Sequence, residues 1–198
     1  MWQLDWTKLA DILTYDPRQP MIFSSGLFLF LFLGFSLVYV LLQKHTTARL
    51  LFVSAFSYYF YYKSSGIYFF LLGIVTVSDF LLAARMDRTE TLWKRKLLVV
   101  ISLCINLGLL CYFKYTNFFY EMLCPLWNGH YEAFDIFLPV GISFFTFQSL
   151  SYTLDVYRRD LKPLDNLLDY IFYVSFFPQL VAGPIVRAHD FIPQIRQP

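Results

Sequence analysis

The sequence predicts an all-α membrane protein, a polytopic bundle of about six transmembrane segments in which the last one or two are kinked or re-entrant. Its 198 residues are 58% hydrophobic and 21% aromatic, and only 15% are charged. In soluble domains roughly a quarter of the residues are charged. The mean hydropathy is +0.51. The apolar residues come in long blocks, and a helix that crosses a bilayer takes about 20 residues. The apolar blocks of this chain are therefore expected to lie in a lipid bilayer.

The first 20 residues are expected to form a separate amphipathic segment at the membrane interface. Trp2, Trp6, Leu9 and Leu13 recur at helical spacing, with charged residues between them. A short helix with one apolar face and one charged face lies in the interface plane. Pro17 should end it, because proline does not continue a helix.

Six apolar blocks within residues 21–198 are candidate membrane spans. Four are regular, and the last two are interrupted by proline and glycine. The six blocks are Ile22–Leu42, Leu50–Tyr62, Ile67–Ala84, Leu97–Phe113, Ile136–Leu154 and Leu168–Val186.

Basic residues are concentrated in alternate loops. The loops at 43–49, 85–96 and 155–167 carry 10 of the 16 Lys and Arg residues. Loops rich in Lys and Arg stay in the cytoplasm, so these loops are predicted to be cytoplasmic and the N-terminus to lie outside. The chain is expected to be a multi-pass protein of the cell inner membrane, with the lipid bilayer around it. The net charge is only +2, and no basic patch interleaved with aromatics indicates a nucleic-acid partner.

The helix predicted after Pro139 carries a polar face. Gln148, Tyr152 and Asp155 are spaced four and three residues apart, so they share one side of a helix. Polar residues on a membrane helix normally face the bundle interior or a watery cavity. The three side chains therefore either line a cavity near an acyl donor or acceptor, or form a hydrogen-bonded seam between helices. In the second case Asp155 is expected to pair with Arg158 or its neighbour Arg159.

The segment Phe176–Arg187 is predicted not to be a straight helix. Pro178 lacks an N–H, and Gly183–Pro184 interrupts the helix again. The segment is therefore expected to be a kinked or re-entrant element, with Gln179 and Arg187 as its polar groups and further cavity-lining candidates. A simple proline kink at a packing junction is the alternative. Carbonyls freed by the break would be satisfied by side chains such as Gln148 or Gln179.

Other polar residues are weaker candidates. Asp79 lies in an apolar run, and Arg85 follows two turns later, which favours a structural role near the cytoplasmic edge. Cys104 and Cys111 are expected to be small core side chains. The cysteine spacing predicts neither a disulfide framework nor a metal site. The three histidines lie outside apolar spans, at His45, His130 and His189.

Two late segments resemble the signature segments of the membrane-bound O-acyltransferases. They read PVGISFFTFQSLSYTLDVYRR from Pro139 and VSFFPQLVAGPIVRAHDFIPQ from Val174. The branch that they resemble most is that of the alginate O-acetylation membrane protein, and the D-alanyl transfer protein of teichoic acid synthesis is a more distant relative. Earlier stretches resemble the same branch, at MIFSSGLFLFLF, SYYFYY, VSDFLLAARM and INLGLLCYFKYTNFF.

The resemblance implies a helical enzyme that moves an acyl group, usually acetyl, from a cytoplasmic thioester donor toward an acceptor across the membrane. No bound cofactor is implied, because the acyl-thioester donor, similar to acetyl-CoA, is a substrate. Family members are about twice this length or more, so residues 21–198 would be the N-terminal part of the acyltransferase domain. The missing partners would be the C-terminal half and a periplasmic or extracellular acceptor, either a protein or a polysaccharide.

The family's hallmark histidine in an apolar helix has no counterpart among the three histidines of this sequence. No catalytic residue and no metal ligand is therefore assigned, and the chain alone is expected to be inactive. The alternative functions are an inactive truncated remnant and a non-enzymatic membrane protein, such as a transporter or an assembly subunit.

Overall fold

A computed structural model describes residues 13–18, 20–127, 132–183 and 186–196, and every regular element in them is helical. The expected all-α class is therefore confirmed. The predicted interfacial helix of residues 1–20 lies mostly outside the described residues. The helices are α1 (Gly26–Leu41), α2 (Thr46–Ser65), α3 (Phe69–Asp87), α4 (Leu92–Leu110), α5 (Thr116–Leu123), α6 (Ile142–Arg158), α7 (Leu167–Ser175), α8 (Phe177–Ala182) and α9 (Ala188–Phe191).

Helix α1 lies at the edge of the bundle. Ser25 begins it, because the Ser25 hydroxyl accepts the Phe28 N–H at 3.2 Å and so satisfies one of the free donors of the first turn. None of its residues is buried. Its inner face packs through aromatic rings, with the Phe35 ring 5.6 Å from that of Phe177. Its outer face exposes apolar side chains, as expected for a helix that contacts lipid.

Helices α2 and α3 form an antiparallel hairpin. Gly66 makes the turn with φ of 59°, a backbone conformation that glycine adopts without strain. The rings of Tyr62 and Phe69 meet at 5.9 Å next to the turn, and Tyr58 approaches Gly73 further along. The core of the bundle lies where α3, α4 and α6 pack together, with α2 and α7 against them.

Two helical stretches are long and apolar enough to cross a membrane, Thr46–Asp87 and Leu92–Leu126, while Gly26–Leu41 is a shorter apolar helix. The expected number of about six membrane segments is not confirmed. The fifth expected span begins as a helix only at Ile142, after the Pro139–Gly141 interruption. The sixth is divided into α7 and α8.

The three basic loops meet at the same end of the bundle, which we term the basic end. Arg95 is buried there and donates through Nη2 to the carbonyls of Val156 and Tyr157, at 3.2 and 2.7 Å. These acceptors lie in the last turn of α6, where carbonyls lack helical partners. At the opposite end, the Val140 N–H donates to the Ser65 hydroxyl at 3.0 Å.

Cys104 and Cys111 are exposed on α4 and the π-helical turn that follows it. The expectation that they are core side chains is therefore wrong. Both lie on an outward face, which would contact lipid in a membrane, and α4 presents its polar residues to the core instead.

Candidate functional site

The chain breaks its helical path at Phe176. The backbone there has φ of −54° and ψ of 107°, which separates α7 from α8. Pro178 lies in the first turn of α8, where its missing N–H costs nothing. Gly183 is extended again, with ψ of 160°. The prediction that this segment is not a straight helix is confirmed over the described residues, although Pro184 lies outside them.

The break leaves two backbone groups without helical partners, and side chains from other helices bind both. The Gln148 amide donates through Nε2 to the Tyr173 carbonyl at 2.6 Å. The Phe177 N–H donates to the Ser57 hydroxyl at 3.2 Å. All of these groups are buried, so an unmade hydrogen bond would cost roughly 1–3 kcal/mol. The expectation that Gln148 satisfies a freed carbonyl is confirmed.

Gln148 and Gln179 meet at this break. The Gln148 Nε2 lies 3.3 Å from the Gln179 Oε1, and both side chains are buried. In return, the Tyr173 hydroxyl donates to the Gln148 carbonyl at 3.2 Å. The two glutamines therefore join α6 to α7 and α8, the two helices on either side of the break.

Tyr152 lies further along the same face of α6, fully buried. Its hydroxyl accepts the Leu164 N–H at 2.9 Å, and its ring centroid is 4.5 Å from that of Tyr170. Gln148, Tyr152 and Gln179 thus lie in a buried hydrogen-bonded seam between helices. Of the two alternatives that the sequence allowed for the polar face of α6, a cavity wall or a seam between helices, Gln148 and Tyr152 form the seam.

A second buried polar cluster lies in the middle of the bundle. Asp79 on α3 is fully buried and accepts hydrogen bonds from the Ser102 hydroxyl at 2.6 Å and the Asn106 amide at 2.7 Å. The Ser102 hydroxyl is also 3.4 Å from that of Thr153 on α6. The Asp79 carboxyl group therefore joins α3 to α4, and Ser102 extends the cluster to α6. Asp79 has a structural role as expected, but mid-bundle rather than at the edge beside Arg85.

The sequence analysis missed the partners of Asp79. Ser102 and Asn106 are spaced four residues apart in an apolar run, so they lie on one face of α4. That spacing is the signal that would have indicated a polar face of α4 directed at a neighbouring helix.

Charged side chains surround a cavity of about 380 Å³ at the basic end. Asp155 and Arg187 line it, as two of the five cavity-lining candidates. They are joined there by Arg158, Asp160, His189 and Asp190.

Asp155 is partly exposed and forms no ion pair within the described residues, so the expected pair with Arg158 or Arg159 is wrong. Arg159 takes a left-handed conformation with φ of 66° and ends α6, so it is not one helical turn beyond Asp155. Partial burial raises the pKa of the Asp155 carboxyl and Asp160 raises it further, whereas Arg158 and His189 lower it.

The described residues contain no group of three or more His, Cys, Asp or Glu that could hold a metal ion. His45 and His189 are exposed, and His130 lies outside the described residues. The hydrogen-bonded seam, the Asp79 cluster and the charged cavity are thus polar features that the structure adds to the apolar bundle.

Known proteins resemble nearly the whole of this chain. Peptidoglycan O-acetyltransferase of Helicobacter pylori is 33% identical over 217 residues, which covers 95% of this chain and 41% of that protein. The probable alginate O-acetylases AlgI of Pseudomonas aeruginosa and Azotobacter vinelandii are 36% and 37% identical over 88% of this chain, and 34% and 36% of their own lengths. This chain belongs to the membrane-bound O-acyltransferase family.

No family model matches this chain, and no solved structure matches it. The chain spans about a third to two fifths of the length of the curated relatives that it matches. The two signature segments of the sequence coincide with the hydrogen-bonded seam and with most of the charged cavity. The first covers Gly141 and α6, and the second covers the break at Phe176 and α9; each contributes residues to that cavity.

Proposed function

We propose that this chain forms the N-terminal part of an O-acyltransferase that moves acetyl from a cytoplasmic thioester donor toward an exported polysaccharide. The observation that carries the proposal is the identity of 33–37% over 88–95% of the chain to proteins named as O-acetyltransferases of peptidoglycan and probable O-acetylases of alginate. Since the chain spans a minority of those proteins, its partners would be the rest of the enzyme and a periplasmic or extracellular acceptor.

The fold supports this proposal through the broken helix. A membrane helix is interrupted only where its freed backbone groups find partners inside the protein. Gln148 and Ser57 supply those partners at Phe176, so the break is built into the fold. The charged cavity then lies at the basic end, between the end of α6 and the start of α9. A donor that carries phosphate groups would meet Arg158 and Arg187 there.

The proposed orientation places the basic end in the cytoplasm and the N-terminus outside, in the inner membrane. Its support is the gathering of the three Lys- and Arg-rich loops at a single end of the bundle. In this orientation the charged cavity opens toward the cytoplasm, where a thioester donor is available.

No residue of this chain is proposed as the catalytic base. A general base must reach the proton that it abstracts, and His45 and His189 are exposed rather than in the bundle interior. We therefore expect residues 1–198 to need the remaining part of such an enzyme for activity.

A chimera with the alginate O-acetylase of Pseudomonas aeruginosa tests the function. Residues 1–198 would replace the matched third of that protein in a strain that lacks it, and acetyl esters on exported alginate would be measured. We expect the chimera to restore at least a tenth of the wild-type ester content, and residues 1–198 alone to restore none.

Within the chimera, Arg187→Gln should lower the ester content severalfold at unchanged membrane protein level, because it removes a cation from the charged cavity. Arg88→Gln is the matched control, since Arg88 is exposed and lies outside that cavity. A chimera that accumulates in the membrane but adds no esters would overturn the proposal. Full acetylation by residues 1–198 alone would overturn the need for a second part.

A further inference from the structure

A cavity of about 680 Å³ lies outside the polar features described above, between α1, α2 and the segment around α8. Its inner part is lined by aromatic rings, among them Phe32, Phe35 and Phe177. Its volume falls in the range of about 300–1,000 Å³ that is usual for small-molecule sites. Arg49, in the loop at 43–49 of the basic end, also lines it.

Arg49 provides a positive charge in the lining of this mostly apolar cavity. Its guanidinium lies 6.0 Å from the centroid of the Tyr39 ring. Within the part of the chain that the structure describes, no carboxylate lies within ion-pair distance of it. A cation next to an apolar cavity favours a ligand with an anionic group at one end and hydrocarbon at the other.

The lining of the cavity suits a lipid tail. Among the described residues that line it, Arg49 is the charged one, and most of the others are aromatic or aliphatic. An acyl chain packs against such side chains without leaving polar groups unpaired. The lining therefore favours a lipid tail with an anionic head group.

We propose that this cavity binds an anionic phospholipid of the leaflet at the basic end. One acyl chain packs against the aromatic rings, and the phosphate group pairs with Arg49. Basic pockets between membrane helices bind such head groups, so the contact of the phosphate with Arg49, rather than burial of the tail, gives the preference for an anionic lipid. The inference concerns a site other than the charged cavity, and it holds whether or not the chain is catalytic.

Native mass spectrometry of the purified 198-residue chain tests this site, with phosphatidylglycerol or phosphatidylcholine added in mild detergent. We expect one phosphatidylglycerol to be retained per chain in preference to phosphatidylcholine. Arg49→Gln should lower retention of phosphatidylglycerol about fivefold, since one basic residue near the surface contributes about 1 kcal/mol. Lys44→Gln is the matched control, because Lys44 is in the same loop and does not line the cavity.

A second pair of variants tests the apolar part. Ser36 lines the cavity, so Ser36→Leu should fill it and lower retention of both lipids. Gly34 lies two residues earlier with no atom within 4 Å of an added Cβ, so Gly34→Leu should leave retention unchanged. Equal retention of the two lipids by the wild-type chain would overturn the proposal, and so would equal effects within either pair of variants. A dimer in place of the lipid-bound monomer would instead assign the surface to a second copy of the chain.

Discussion

Asp79→Leu is expected to destabilise the bundle by about 2–3 kcal/mol. The change leaves the Ser102 hydroxyl and the Asn106 amide without their carboxylate acceptor in a fully buried site. Each buried donor that loses its partner costs roughly 1–3 kcal/mol, although the Asn106 amide keeps its existing 3.0 Å bond to the Ser102 carbonyl. Unfolding of the purified chain by SDS titration would measure the change in free energy.

Two further variants make this prediction specific. Ser78→Ala changes the preceding residue, whose hydroxyl donates within its own helix at 3.0 Å, and should alter the free energy of unfolding by at most about 0.5 kcal/mol. The double variant Asp79→Leu with Asn106→Leu should recover part of the lost stability, because replacing both partners by apolar groups removes the unmade bond. If Asp79→Leu and Ser78→Ala had the same small effect, the cluster would not hold the three helices together.

Gly141→Ala is expected to cost at least about 2 kcal/mol. Gly141 begins α6 with φ of 74°, and a Cβ there would lie 2.4 Å from the carbonyl oxygen of Leu180. A left-handed conformation costs an L-residue about 1–2 kcal/mol, and the contact with backbone would force α8 to move. The thermal unfolding midpoint of the purified chain should fall accordingly.

Gly108→Ala is the matched control for that change. Gly108 lies within α4, where an added Cβ meets no atom within 4 Å. Alanine favours a helix over glycine by about 0.8–1.0 kcal/mol, so this variant should be as stable as the wild type or more stable. Equal losses of stability in the two variants would show that α6 and α8 do not approach each other at Gly141.

The sequence predicts the helical class and the broken helix because both depend on local chemistry. Long apolar blocks require helices in lipid, and Pro178 removes a backbone donor wherever it lies. The break falls at Phe176, two residues before Pro178, because proline is tolerated in the first turn of a helix and Pro178 lies in the first turn of α8. The partner of the freed carbonyl, Gln148, was also predictable from its position on the polar face of α6.

The pairings of Asp79 and Asp155 depend on how helices are rotated and ended, which one sequence does not specify. Asp79 meets Ser102 and Asn106 because α3 and α4 turn their polar faces toward each other. Asp155 does not pair with Arg159 because α6 ends there in a left-handed residue, so helical spacing no longer applies. The family resemblance identifies the family, but it does not supply these contacts.

The proposed account requires the basic end, with its charged cavity, to face the cytoplasmic donor. Labelling of single cysteines by a membrane-impermeant reagent on intact cells tests this requirement most directly. In a background without the three native cysteines, Glu90→Cys at the basic end and Glu121→Cys toward the other end are both in exposed positions. The account predicts labelling of the cysteine at position 121 and none at position 90 until the cells are lysed. Labelling of position 90 from outside, with protection of position 121, would contradict it.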